Sequence, residues 1–200
     1  MKHEYARFES ECMQRLAACR VVLDVGGGSR FQKGMSQYKD LFQQVDYKTF
    51  DVSSDFSPDL VGDIHAIPLP DESVDGIICR SVLEHVDHPG IAIQEMYRIL
   101  KPGGLLFIQV PSIYPYHART GHGAYPDYWR FFESTMRLLL KDFAHVEIKK
   151  QGGWFYAMLL FLPWQVKLRP VLEPVANAFD RLFGTTKKTT TAMLACFANK

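Results

Sequence analysis

Nothing in this sequence pairs its cysteines. The four, Cys12, Cys19, Cys79 and Cys196, lie far apart and form no CxxC motif, which argues against a zinc cluster or a disulfide scaffold and fits a reducing compartment. Charge of one sign is also scarce. Lysine and arginine number 23 against 22 aspartates and glutamates, for a net charge of +1, so no broad electrostatic footprint marks a chain that tracks nucleic acid, and no nucleic acid partner is expected. Long hydrophobic runs are absent too. The most apolar stretch, Trp154 to Trp164, is well short of the roughly 20 residues that cross a bilayer as a helix. The opening Met-Lys-His-Glu-Tyr has no apolar run before a small-residue cleavage site, and a cytoplasmic protein is the expectation. There is no internal repeat and no low-complexity linker. What remains is a 200-residue chain with 47% hydrophobic content, enough for one sizeable core and short for two independent domains.

Apolar segments of two kinds alternate along the chain. Residues 5–19 have the spacing of an amphipathic helix, and Val21-Val22-Leu23-Asp24-Val25 is a β-branched run of the sort that forms a buried parallel strand. Strands are further predicted over Asp46 to Val52, Val74 to Cys79, Leu105 to Val110 and His145 to Lys150, with Thr189 to Phe197 able to close the sheet. Ile93, Met96, Tyr97 and Leu100 fall on one helical face of Ile91 to Leu100, with Pro102-Gly103-Gly104 as the stop. Phe132 to Phe143 is another predicted helix. This interleaving implies an α/β fold, a doubly wound, mostly parallel sheet with helices on both faces. In such sheets ligands sit at the carboxyl ends of the strands.

Directly after the first strand comes Gly26-Gly27-Gly28, where the missing side chains let the backbone approach a ligand. A dinucleotide fingerprint requires glycine again three places after Gly28, and Phe31 stands there, which weakens a nicotinamide or flavin reading. Asp24, just before the loop, suits a ligand bearing an ammonium better than one bearing a pyrophosphate. A plain tight turn is the bland alternative.

Four ordered blocks now bear on the choice: Leu23 to Gly28, Gly62 to Asp75, Ser81-Val82-Leu83-Glu84-His85-Val86, and Arg98-Ile99-Leu100-Lys101-Pro102-Gly103-Gly104. Together they resemble the class I S-adenosylmethionine-dependent methyltransferases, and most closely the small type 11 domains. The resemblance implies a Rossmann-like sheet of seven strands with an antiparallel last strand, and S-adenosyl-L-methionine as cofactor. By its motifs, Asp24, Val25, Gly26, Gly27 and Gly28 hold the methionine part, Asp51 with Val52 the ribose, Asp63 with Ile64 the adenine, and Arg80 with Ser81 the centre of the cofactor. Asp51 lies 27 positions after Asp24, near the spacing at which an acidic side chain accepts from both ribose hydroxyls; Asp46 and Asp55 are its competitors. The family's third glycine is Arg30 here.

On the acceptor side, His85 follows the fourth strand and His117 the fifth, and either is a candidate general base for an alcohol acceptor. His122 lies further along a glycine-flanked loop. His85, Asp87 and His88 could offer metal ligands, but adjacent loop positions rarely close a site without a distant third ligand, so no metal is expected. Tyr114, His117, Tyr128 and Arg130 are candidate acceptor contacts, since aromatics with histidines and a cation suit a sugar or ring. Their segments, Tyr-Pro-Tyr-His and Asp-Tyr-Trp-Arg-Phe, resemble those of methyltransferases associated with surface polysaccharide synthesis, and Asp127 is also a candidate cap for the helix that follows. The expected function is methylation of an oxygen on a saccharide or related surface-glycan precursor. The alternatives are a non-catalytic cofactor-binding scaffold and a methyltransferase acting on a lipid or a natural-product ring.

The expected organisation is a single domain over 1–200: an N-terminal helix at 1–20, a cofactor-binding core at 21–111, an acceptor-side segment with the sixth strand at 112–152, a cap at 153–184 and the last strand at 185–200. Within the cap, Trp154, Phe155, Tyr156, Trp164, Lys167 and Arg169 combine amphipathic aromatics with cations. This pattern suits peripheral contact with the inner face of a membrane through 154–169, with a homodimer contact as the other use.

Overall fold

The computed structural model describes residues 2–121, 123–162, 165–185 and 191–200. Its centre is a seven-stranded sheet in the order β3-β2-β1-β4-β5-β7-β6. The strands are β1 (Val21–Val25), β2 (Asp46–Asp51), β3 (Leu60–Val61), β4 (Val74–Arg80), β5 (Leu100–Pro111), β6 (Ala144–Gln151) and β7 (Met193–Asn199). All neighbouring pairs are parallel except those made by β7, which runs antiparallel to both β5 and β6. This is the doubly wound architecture, reversed last strand included, that the sequence implies.

Two apolar layers sandwich the sheet because its central strands are buried on both faces. On one face, Ile77 and Cys79 of β4 pack with Ile93 and Met96 of α2 (Pro89–Ile99) and Met136 of α3 (Glu133–Leu139). On the other, Ile78 packs with Phe8, Met13 and Leu16 of α1 (Lys2–Ala17) and with Met35 and Phe42 of a 3-10 helix, Met35–Phe42. Burying one such leucine or isoleucine contributes roughly 1.5–3 kcal/mol. The fold is therefore carried mainly by these two layers.

Several boundaries differ from the sequence expectation for identifiable reasons. The helix before β5 ends at Ile99, and Pro102-Gly103-Gly104 lies inside β5, where the pairing with β4 slips between Val74 and Gly76; the glycines mark an irregularity in a strand, not a helix stop. The helix predicted over Phe132 to Phe143 spans only Glu133–Leu139, and its N-cap is Phe132 with no side-chain hydrogen bond. Asp127 does not cap it, since it lies five residues before that N-cap, and its carboxylate is bound to Arg130 and the His117 backbone N–H. The last strand is Met193–Asn199 rather than Thr189 to Phe197, and the first residues of that expectation lie outside the described residues.

Residues 153–184 form a helical hairpin of α4 (Trp154–Leu159) and α5 (Gln165–Leu182). Asp180, fully buried, accepts hydrogen bonds from the backbone N–H groups of Gly153, Phe155 and Tyr156 and from the Thr185 hydroxyl. One carboxylate thus satisfies the orphan donors at the start of α4 and ties them to the end of α5. Trp154, Met158, Phe161, Val171, Val175, Phe179 and Phe183 remain exposed on this hairpin. No helix among the described residues is long and apolar enough to cross a membrane. Trp164 and the side chain of Arg169 lie outside the described residues.

Candidate functional site

The sheet changes direction of winding between β1 and β4, and the carboxyl ends of the strands at such a point are where sheets of this kind bind ligands. Gly26 donates to the Phe50 carbonyl at 2.7 Å, which anchors the glycine turn to the end of β2. Its φ is +68°, and a Cβ there would fall inside the side chain of Val82; one on Gly27 would fall on the Asp24 carboxylate. Glycine at these positions is thus a packing requirement, and it leaves bare backbone at this edge of the sheet.

Asp24 lies beneath the turn, fully enclosed, and accepts from the Tyr47 hydroxyl. Burial pushes its carboxyl up to about 6, with Tyr47 pulling in the other direction. Asp51 stands at the end of β2, where its carboxylate accepts from Gly28 N (3.1 Å) and Ser53 N (3.0 Å). Val52 beside it is 75% exposed, an apolar surface with no protein covering it. Of the competitors, Asp46 pairs with Lys48 at the far end of the strand, and Asp55 accepts from Gly123 N. Asp63 is exposed and held by the backbone N–H and ring of His65, and Ile64 is partly buried against the core.

Arg80 departs from its expected place. Strand alternation puts its side chain on the same face as Ile78, where its guanidinium bonds Glu9 of α1 at 2.7 Å and is buried beside Met35 and Phe107. Only its carbonyl is left at this edge of the sheet. There the carbonyls of Arg80 and Ser81 accept from the Lys33 ammonium, at 3.5 and 3.2 Å. Lys33 was not picked out from the sequence; a lysine shortly after a glycine turn is the one signal that pointed to it. Ser81 has φ +50°, a conformation uncommon outside glycine, and it swings the chain from β4 into the turn that carries Glu84 and His85.

Those two residues meet His117. The ring centroids of His85 and His117 are 5.0 Å apart, and the Nε2 atoms of both lie 3.9 Å from Oε1 of Glu84. Burial pushes the Glu84 carboxyl up to about 7 and His85 down to about 4, keeping that imidazole neutral. The Asp-Tyr-Trp-Arg-Phe segment builds this arrangement. The backbone N–H groups of Tyr128 and Trp129 donate to the Glu84 carbonyl, and the Trp129 indole donates to that of Val86. Arg130 grips Asp127 with two nitrogens and donates to the carbonyls of Tyr114, Trp129 and Pro115. It therefore positions the acceptor segment and has no free donor geometry for a ligand, a correction to its expected role. Tyr114 packs edge-on to His117, while Tyr128 is 56% exposed. His122 lies outside the described residues.

Residues 23–108 match a family model described as a methyltransferase domain. By that match residues 23–108 carry a methyltransferase domain, and the sheet around it has the fold of S-adenosylmethionine-dependent methyltransferases. A probable S-adenosylmethionine-dependent methyltransferase of Mycolicibacterium smegmatis is 30% identical over 95 residues, covering 48% of this chain and 37% of that protein. A ubiquinone/menaquinone biosynthesis C-methyltransferase of Neisseria meningitidis is 33% identical over 87 residues, covering 42% and 34%. The chain thus spans little more than a third of the length of these curated relatives. Among solved structures, a SAM-dependent methyltransferase from Archaeoglobus fulgidus superposes with a TM-score of 0.62 at 16% identity, covering 100% of this chain and 95% of that one. Acidic groups at Asp24 and Asp51 and a pair of strand-end carbonyls that already accept an ammonium make a donor set that fits the cofactor of such methyltransferases.

Proposed function

We propose that this methyltransferase transfers the methyl group of S-adenosylmethionine to an oxygen of a small hydroxylated acceptor, a saccharide or related surface-glycan precursor. The observation that carries the reading is the convergence of His85 and His117 on Glu84, in the turn that follows Ser81 and to which the Tyr128 backbone is bonded. When bound, the cofactor supplies an electrophilic methyl carbon on a sulfonium. The chain has to hold the acceptor oxygen in line with that carbon, keep water out and receive a proton. Gly26, Gly27 and Gly28 bring backbone against the methionine part; Asp24 faces its ammonium from below, and Asp51 takes the ribose hydroxyls. Asp63 and Ile64 flank the adenine, with Val52 as a second apolar contact. His85 and His117 stand where the methyl group emerges and are the proton acceptors, while Tyr114 and Tyr128 give the acceptor its aromatic walls.

The exposed apolar face of α4 and α5 supports a second part of the proposal, contact with a membrane surface on which a lipid-linked acceptor is presented. Co-sedimentation with anionic liposomes at low salt is the expected result, and a protein that stays in solution or simply dimerises through this face removes that part. For the main reading, the test is a product-mass screen of candidate glycans with isotopically labelled donor. Label on an acceptor oxygen supports it. Label on carbon, or donor binding without turnover on any hydroxylated acceptor, replaces it with a carbon methyltransferase or a scaffold.

A further inference from the structure

Among the described residues, three side chains with electron-pair donor atoms face one another at the acceptor edge without a hydrogen bond between them. His85 Nδ1 lies 2.6 Å from the Pro126 carbonyl, and His117 Nδ1 lies 3.1 Å from that of Pro115. A carbonyl oxygen only accepts, so both Nδ1 atoms carry the proton and both Nε2 atoms present lone pairs. Each of these lone-pair atoms is 3.9 Å from Glu84 Oε1, too far for a hydrogen bond. Ligand atoms from all three residues lie within 4.8 Å of one another. Glu84 is 1% exposed, and among the described residues its Oε2 has no hydrogen-bond partner. A buried carboxyl facing two imidazole lone pairs either keeps a proton or, as the carboxylate, is stabilised by a positive charge placed among them.

We propose that Glu84, His85 and His117 form a binding site for one divalent first-row transition ion, held by the Glu84 carboxylate and the Nε2 atoms of both histidines. Two imidazoles with one carboxylate favour zinc, manganese or iron over magnesium or calcium, which prefer oxygen alone. Around such an ion, with bonds of about 2.0–2.2 Å, ligand atoms stand about 3–3.5 Å apart, so small side-chain rotations close the present spacing. The supporting shell already exists. Both histidines give their second nitrogen to a carbonyl, as ligating histidines do, and the His117 ring also lies 3.2 Å from Asp127, itself clamped by Arg130. The distant third ligand that the neighbouring His85, Asp87 and His88 lack arrives from the segment after β5. Three protein ligands leave coordination positions open, and an acceptor hydroxyl is the group the methyl-transfer reading brings there; a bound ion takes the Nε2 lone pairs, so proton acceptance by the histidines belongs to the ion-free protein, and the ion site rests on the three side chains alone.

The test titrates chelator-stripped protein with zinc and with manganese by calorimetry, without donor or acceptor. One ion per chain is expected, with at least tenfold weaker binding in Glu84→Gln and in His117→Ala and unchanged binding in His88→Ala. Retained affinity for S-adenosylhomocysteine certifies that the variants are folded. Should they not fold, cobalt in the unaltered protein serves: two hyperfine-shifted imidazole Nδ1–H signals are expected. No stoichiometric ion, binding unchanged in Glu84→Gln and His117→Ala, or fewer than two shifted imidazole signals would overturn the proposal. Because turnover is not measured here, its failure leaves methyl transfer standing, and an absence of turnover leaves the ion standing.

Discussion

Replacing Asp24 by asparagine should make the cofactor-free protein more stable at pH 8 while weakening its hold on the cofactor. The carboxyl is enclosed under the glycine turn and its ordinary value of 3.8 is raised to about 6, chiefly by burial. A gap of that size corresponds to about 3 kcal/mol. The sign follows from proton binding: the folded state holds this proton more tightly than the unfolded chain. Its contribution is therefore fully present below about pH 3.8 and lost as pH rises through about 6. Asparagine keeps the shape and still accepts from Tyr47, but its amide brings a donor without an assigned partner, at roughly 1 kcal/mol. The net gain at pH 8 is then about 2 kcal/mol. Urea unfolding of both proteins from pH 4 to pH 8 reads the difference directly, and comparing the two cancels other titrating groups, Glu84 among them. Cofactor titrations should run the opposite way, with the wild type binding more tightly as pH rises through about 6 and the variant flat, because an ammonium above the turn favours the ionised carboxylate. If the stability difference between the two is constant across that range, or Asp24→Asn is the less stable at pH 8, the buried-charge argument is wrong.

Asp51→Ala removes the carboxylate that ends β2 and should weaken cofactor binding by roughly 1–3 kcal/mol in calorimetry; unchanged affinity would reassign the ribose ligand. His85→Ala and His117→Ala should each lower turnover on the identified acceptor by about two to four orders of magnitude with cofactor affinity nearly intact. A histidine that only packs would instead lower melting temperature, cofactor affinity and rate together. Arg130→Ala should cost roughly 2–3 kcal/mol in denaturant unfolding, because it strands the Asp127 carboxylate, whose side chain is fully buried. Lysine should not restore it, since no ammonium reproduces a two-nitrogen grip together with bonds to three carbonyls.

The glycine turn after β1 and the end of β2 were legible in the sequence because their signals are local. A β-branched run followed by glycines specifies β1 and its turn within a few residues, and Asp51 follows from strand length. What escaped depends on orientation or on distant chain. Arg80 lies at the predicted strand end, but which face it takes is fixed by strand alternation against a partner, Glu9, 71 residues away. Asp127 has the residue type of a helix cap, yet the helix starts only at Glu133, and its carboxylate goes to the Arg130 guanidinium and the His117 backbone N–H. Pro102-Gly103-Gly104 carries the same letters whether it ends a helix or kinks a strand, and only the pairing partner decides. Glu84 stood in view between Leu83 and His85, an acid in an apolar block; its meaning required His117, which the chain brings back after the whole of β5.

The hydrogen bond from Gly123 to Asp55, with the Gly123 backbone lying against the Phe56 ring, ties the segment after β5 to the loop after β2. Residues 112–132 are contiguous, and under the proposed function they supply the acceptor's wall almost as a cassette. A lineage could change what it methylates by exchanging this cassette while inheriting the donor half unchanged, except at one hinge of compatibility: the incoming segment must still seat on Asp55 and Phe56. Chimeras that transplant 112–132 alone should therefore succeed only between relatives that agree at those two positions, and elsewhere the loop after β2 has to travel with it.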